Sequence, residues 1–258
     1  MNPAIFNNLQ IREVFHLEFL RWLGRKVKAE FYALKGGSNL RFFFKSLRYS
    51  EDMDLDVHTI PVMTLKDAVM DILKARSFFD HLRPFQIAGV VPPDMNVAKQ
   101  TGTTQRFKVH LLTTAGEDLF TKLEFSRRGI KGDIVVEPVA DAVMREYKLA
   151  PLLVPHYDVM AAVSQKIDAL AGRSVVQARD IFDLFILSTQ YAPSESAAPA
   201  AAKMSRAHDN IFAVEFEQFR DTVAAYLSRA DQETYGNPSM WDTIKLKTAN
   251  FLEEIAKG

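Results

Sequence analysis

Residues 52–57 read Asp-Met-Asp-Leu-Asp-Val, acid and apolar residue in strict turn. Side chains along a strand alternate between its two faces, so this period sets Met53, Leu55 and Val57 on one face and Asp52, Asp54 and Asp56 on the other. The apolar face needs a core to cover it. The acidic face gathers like charges, which is unfavourable unless cations neutralise them. Two readings follow: an edge strand with a solvated acidic face, or a strand whose carboxylates hold a pair of divalent metal ions.

The stretch just upstream narrows the choice. "FYAL" at 31–34 reads as a short strand, Gly36 and Gly37 end it, and 38–46 reads as a helix with Ser38 as its N-cap. A strand–glycine–helix junction offers backbone N–H groups and a positive helix end to an anion, and the Ser38 hydroxyl adds a donor. No Gly-Lys-Ser/Thr follows at Walker A spacing. Charge is distributed unevenly around this junction. Residues 1–50 hold nine Lys and Arg against three Glu, residues 51–80 hold seven acids against three bases, and the whole chain sums to zero. The basic cluster Arg21, Arg25, Lys26, Lys28, Lys35, Arg41, Lys45 and Arg48 suits a polyanionic ligand.

The remaining periodicity predicts two domains. Ile11, Val14, Phe15, Phe19, Trp22 and Leu23 form one stripe of a helix over 10–30, and a further helix is expected over 64–82. Strands are expected over 85–91, 106–113, 120–126 and 133–139, then helices over 158–172, 178–190, 212–230 and 240–256. Between the second and third of these helices, Ala192–Ser205 is rich in Pro, Ser and Ala and reads as a linker. The expectation is an α+β chain, with an α/β domain over 1–150 and a helical domain over 151–258. The chain has no cysteine, which excludes disulfides and thiolate chemistry and suits a reducing cytoplasm. No signal peptide or membrane-spanning run of about 20 apolar residues is read, so a cytoplasmic protein without a membrane partner is expected. The histidines lack metal-ligand spacing, only His58 lies near the acidic strand, and Phe42-Phe43-Phe44 reads as helix core.

A Gly-Ser loop, a helix carrying Arg41, Lys45 and Arg48, and then Asp-x-Asp on a strand together resemble the DNA polymerase β-like nucleotidyltransferase superfamily. Within it, Lys35-Gly36-Gly37-Ser38 with Leu40-Arg41, then Arg48-Tyr49-Ser50-Glu51-Asp52-Met53-Asp54-Leu55, resembles the AbiEii/AbiGii group of toxins from type IV toxin–antitoxin pairs. A second block resembles that group's downstream segment: Lys166, Ile167, Ala169, Leu170 and Arg173, then Arg179, Asp180, Asp183 and Leu184. Ile167, Leu170, Ile181, Leu184 and Phe185 supply the apolar faces here, leaving Lys166, Arg173, Arg179 and Asp180 as the polar remainder. Lys166 thus reads as an exposed lysine with no local partner.

The resemblance implies a polymerase β-like N-terminal domain, a mixed sheet flanked by helices, followed by an α-helical C-terminal domain. It implies Mg²⁺-dependent transfer of an NMP from an NTP, with Asp52 and Asp54 as metal ligands. Glu124, which alternates with Leu123 and Phe125, is the expected third carboxylate, with Asp56 as its competitor. Lys35, Gly36, Gly37, Ser38, Arg48 and Lys166 are the expected nucleotide-binding residues, and Lys166 and Asp180 join the carboxylates as catalytic. The implied partners are an RNA acceptor such as the tRNA 3′ end and a winged-helix antitoxin. Two other readings keep the fold: transfer to a small molecule such as an antibiotic, and nucleotide or RNA binding without turnover.

Overall fold

The computed structural model describes residues 6–192 and 201–257. The chain forms two compact units, one made of Met1–Phe42 and Tyr49–Tyr157, the other of Phe43–Arg48 and Asp158–Gly258.

The first unit is built on seven strands: β1 (Tyr32–Lys35), β2 (Met53–Val57), β3 (Ile87–Val91), β4 (Thr104–Thr113), β5 (Asp118–Ser126), β6 (Ile134–Pro138) and β7 (Leu153–Tyr157). Their order across the sheet is β3-β4-β5-β2-β1-β7-β6. β2 runs parallel to β5 and β1 parallel to β7, while the other neighbours are antiparallel. Helices α1 (Asn8–Lys26), α2 (Gly36–Phe43), α3 (Val62–Lys74), α4 (Arg76–Leu82) and α5 (Asp141–Glu146) accompany the sheet. The expected α+β mixed sheet flanked by helices is the fold observed. Asn7 starts α1 through a capping box with Gln10, and Ile11, Val14, Phe15, Phe19 and Leu23 bury its apolar stripe as the spacing predicts.

Three local expectations change. The helix expected over 64–82 is two helices, parted at Ala75, whose backbone is extended. Leu65, Val69 and Ile72 share one face, but Phe78 lies five residues past Leu73 and would fall about 140° off that stripe in a continuous helix. The break resets the phase, so Phe78 and Leu82 are both fully buried. The helix expected from Ser38 to Ser46 starts at Gly36 and ends at Phe43, which makes Ser38 its third residue rather than its cap. β7 and α5 were not expected. Pro155 masks β7, a strand whose His156 pairs with Leu34 of β1 and Val135 of β6.

The second unit is helical: α6 (Val159–Gly172), α7 (Ala178–Ser188), α8 (Ala201–Phe212), α9 (Phe216–Thr222), α10 (Arg229–Tyr235) and α11 (Pro238–Lys257). Asp158 caps α6 by accepting from the Ala161 N–H at 2.8 Å. Phe219 stacks on Trp241 with centroids 4.4 Å apart, and the buried indole donates to the Val214 carbonyl at 3.0 Å. The single helix expected over 212–230 is instead α9, one 3₁₀ turn at Ala224–Tyr226 and the start of α10. Of the expected linker, 201–205 belong to α8, and 193–200 lie outside the described residues.

Candidate active site

Alternation along β2 places Asp54 between buried Met53 and Leu55. Parallel pairing with β5 sets Asp54 opposite Glu124, β4 sets Arg106 opposite Glu124, and β1 sets Lys35 opposite Asp54. One row across four strands therefore reads Arg106, Glu124, Asp54, Lys35, with two carboxylates side by side between two cations. Asp52, one step before β2, accepts the Lys122 backbone N–H at 3.0 Å and lies 2.9 Å from its ammonium. The same ammonium is 4.0 Å from Glu124, and Arg106 holds that carboxylate through Nε at 2.8 Å and Nη2 at 2.7 Å.

Asp54 is treated differently. No side chain among the described residues reaches it in a hydrogen bond or ion pair. Burial raises its pKa above the ordinary carboxylate value; Glu124 and Asp52 push the same way, while Lys122 and Lys35 oppose. Its neighbour is Gly36, whose φ is +69° and whose position would bring a Cβ to 3.1 Å from Asp54 Oδ2. The first glycine of the motif thus makes room for the carboxylate of its own chain at the start of α2. The Ser38 hydroxyl donates to the Asp52 carbonyl at 3.2 Å, and Ser50 donates to that same oxygen at 2.7 Å. Ser38 is buried and ties the helix to the acidic segment.

Asp56 shares the parity of Asp52 and Asp54 but not their surroundings. It is buried, 2.5 Å from the Lys35 ammonium, and accepts the Tyr157 hydroxyl at 2.6 Å. Lys35, expected at the nucleotide, is therefore engaged with Asp56. His58 donates to the Glu30 carbonyl at 2.7 Å and, among the described residues, joins no carboxylate. Much of the basic N-terminal cluster is likewise internally paired: Arg21 with Glu18, Lys26 with Asp71, and Arg41 with Glu13.

The second motif block forms a network of its own in the helical unit. Lys166 Nζ lies 3.0 Å from Asp180 and 2.7 Å from Asp183, both fully buried. Arg173 meets Asp180 at 2.8 Å, and Arg48 meets Asp183 at 3.3 Å. The expectation of an exposed, unpartnered Lys166 is thus corrected, and Asp180 is core rather than solvated surface. Burial alone would lower the pKa of Lys166, but Asp183 and Asp180 hold it above the ordinary lysine value. Sequence reasoning missed Lys122 and Arg106 at the sheet. Lys122 was legible, since it lies two residues before Glu124 on the same face of β5; Arg106 needed the β4–β5 register.

A mixed sheet that sets neighbouring carboxylates beside a glycine-opened helix fits the nucleotidyltransferase class. Residues 18–249 match the family described as nucleotidyl transferase AbiEii toxin, type IV toxin–antitoxin system, and the chain belongs to that family. The resemblance carried by 35–55 and 166–184 is thereby borne out, and the chain is a nucleotidyltransferase of the toxin kind. Membership implies an NTP substrate and an antitoxin partner. The fold is similar to JHP933 from Helicobacter pylori, with TM-score 0.56 and 17% identity, covering 98% of this chain and 94% of that one. It is also similar to MenT4, a nucleotidyltransferase toxin from Mycobacterium tuberculosis, with TM-score 0.65 and 16% identity, covering 96% and 84%. No curated protein matches the sequence closely. Among the described residues no helix is long and apolar enough to cross a membrane.

Proposed function

We propose that the chain transfers an NMP from an NTP to an acceptor hydroxyl, with Asp52, Asp54 and Glu124 as ligands for divalent metal, Mg²⁺ in the cell. The observation behind this reading is Asp54, partly buried with no ion-pair partner, in direct register with Glu124. The donor set fits a hard cation, because three carboxylates on one sheet face are oxygen ligands. Among the described residues no group of three is already gathered as a metal cage, and Lys122 and Arg106 hold Asp52 and Glu124. Bound divalent ions would neutralise the triphosphate and favour ionisation of the attacking hydroxyl.

The chain's own residues do the rest. The acceptor oxygen attacks the α-phosphorus, the bond to the β-phosphate oxygen breaks, and pyrophosphate leaves. The start of α2 at Gly36 and Gly37 offers backbone N–H groups to the β- and γ-phosphates. In this reading Glu124 takes the hydroxyl proton. RNA is the proposed acceptor, with the tRNA 3′ end as the leading candidate, and a winged-helix protein is the proposed antitoxin. The test incubates purified protein with Mg²⁺, each labelled NTP and total RNA. Incorporation that disappears in Asp54→Asn is expected. No incorporation into RNA, or equal incorporation by the variant, overturns the reading.

A further inference from the structure

The site is already neutralised, but by the wrong kind of cation for phosphoryl chemistry. Lys122 places one ammonium between Asp52 and Glu124, and Arg106 closes on Glu124 from the next strand. All three side chains of that inner group are part-exposed, at 29% for Lys122, 40% for Asp52 and 25% for Glu124, so the contacts exchange with solvent rather than being sealed in the core. A metal ion reaching Asp52 and Glu124 must displace these two cations. Left beside a metal, Lys122 and Arg106 would add like charge a few ångströms from it, which opposes metal binding. An incoming triphosphate reverses the balance, since its oxygens accept from an ammonium and from a guanidinium fork.

We propose that Lys122 and Arg106 are substrate-binding residues held in reserve, which leave Asp52 and Glu124 for the triphosphate when metal and NTP enter together. This rests on the nucleotidyltransferase reading above and adds two residues and an order of events to it. Two consequences follow from charge alone. Metal without nucleotide binds weakly, because it must compete with Lys122. Nucleotide without metal also binds weakly, because the carboxylates keep the cations and repel phosphate. Each therefore strengthens the other, and the strengthening is equal in both directions.

Direct binding separates this from a purely structural pair of salt bridges. Mn²⁺ is titrated by electron paramagnetic resonance into wild type, Lys122→Met and Arg106→Met, alone and with α,β-methylene NTPs, which cannot be cleaved at the reacting bond. Wild type is expected to bind Mn²⁺ more tightly with nucleotide by a factor in the range usual for coupled sites, roughly 5–150-fold. In Lys122→Met, Mn²⁺ alone should bind more tightly than in wild type, and the gain from nucleotide should shrink. Lys122→Gln, which keeps a polar side chain, should behave the same way if charge is the cause. Unchanged Mn²⁺ affinity and unchanged gain in both Lys122 variants overturn the proposal while leaving the metal-dependent reading intact. Absence of Mn²⁺ binding in wild type, with or without nucleotide, overturns both.

Discussion

Asp54 and Glu124 face each other across adjacent parallel strands, yet Glu124 is clasped by Arg106 while, among the described residues, Asp54 makes no direct ion pair. A buried acid whose nearby cations only partly offset its burial costs stability, and such perturbed carboxylates cluster at functional sites.

Asp54→Asn should therefore separate stability from activity. Burial raises the pKa of Asp54, so folding penalises its ionised form, and that penalty grows as pH rises above the ordinary value of 3.8. Removing the charge should raise the thermal midpoint of the metal-free protein at pH 7, with a smaller gain at pH 4. Transfer activity should fall by at least about 10²–10³-fold, as for other groups that act mainly in the transition state. Melting curves at the two pH values and an incorporation assay check this; a lower midpoint at pH 7 contradicts it.

Parity carried the sequence reading a long way at the sheet and then stopped. It put Asp52, Asp54 and Asp56 on one face and Glu124 on the open face of its own strand. Parity does not say which strands become neighbours, and that decides the fate of each acid. Asp56 is taken up by Lys35 and by Tyr157, a residue 101 positions away on a strand hidden by Pro155. In the helical unit the apolar spacing was right, but counting Lys166 and Asp180 as polar remainder assumed that charge means solvent. Paired with each other, Lys166 also with Asp183 and Asp180 also with Arg173, they are withdrawn from solvent.

Gly36→Ala tests the contact between the motif glycine and the acid. A φ of +69° costs a residue with a side chain about 1–2 kcal/mol, and the added Cβ would lie 3.1 Å from Asp54 Oδ2. Stability should fall by about that amount. Activity should fall further, on the order of 10²-fold, because the carboxylate must move. Near-normal turnover would show that Asp54 needs no such placement.

His16 supplies a pH signature from the first unit. It is fully buried, and burial lowers its pKa from 6.5 to about 4, with Asp52 opposing and Arg12 assisting the shift. Thr121 spends its one hydroxyl hydrogen on the Glu51 carbonyl at 2.6 Å, so His16 Nε2 donates to Thr121 at 2.7 Å, and the lowered pKa keeps the ring neutral at pH 7. Between pH 6.5 and about 4 the unfolded chain binds the proton that the folded chain refuses. Stability should fall through that window as pH drops, by up to about 3 kcal/mol at its lower end. His16→Gln keeps a donor and does not titrate, so denaturant midpoints measured at pH 7 and pH 4.5 should converge relative to wild type.

Lys166 is the residue whose expected behaviour changes most once its partners are known. An exposed helix lysine could be truncated at little cost to stability. Here the ammonium lies between Asp180 and Asp183, and Lys166→Ala leaves two fully buried carboxylates whose remaining cations among the described residues are Arg173 and Arg48. Removing one partner of a buried ion cluster typically costs about 3–5 kcal/mol. The Lys166→Ala variant should melt well below wild type, so any loss of transfer has to be measured where both proteins are folded. Adding Asp183→Asn should restore part of that stability, because it removes a carboxylate that Lys166 no longer neutralises. Arg48 would still need its remaining contacts, so recovery should be incomplete. A double variant less stable than Lys166→Ala alone would show that Asp183 matters to Arg48 more than its unneutralised charge costs.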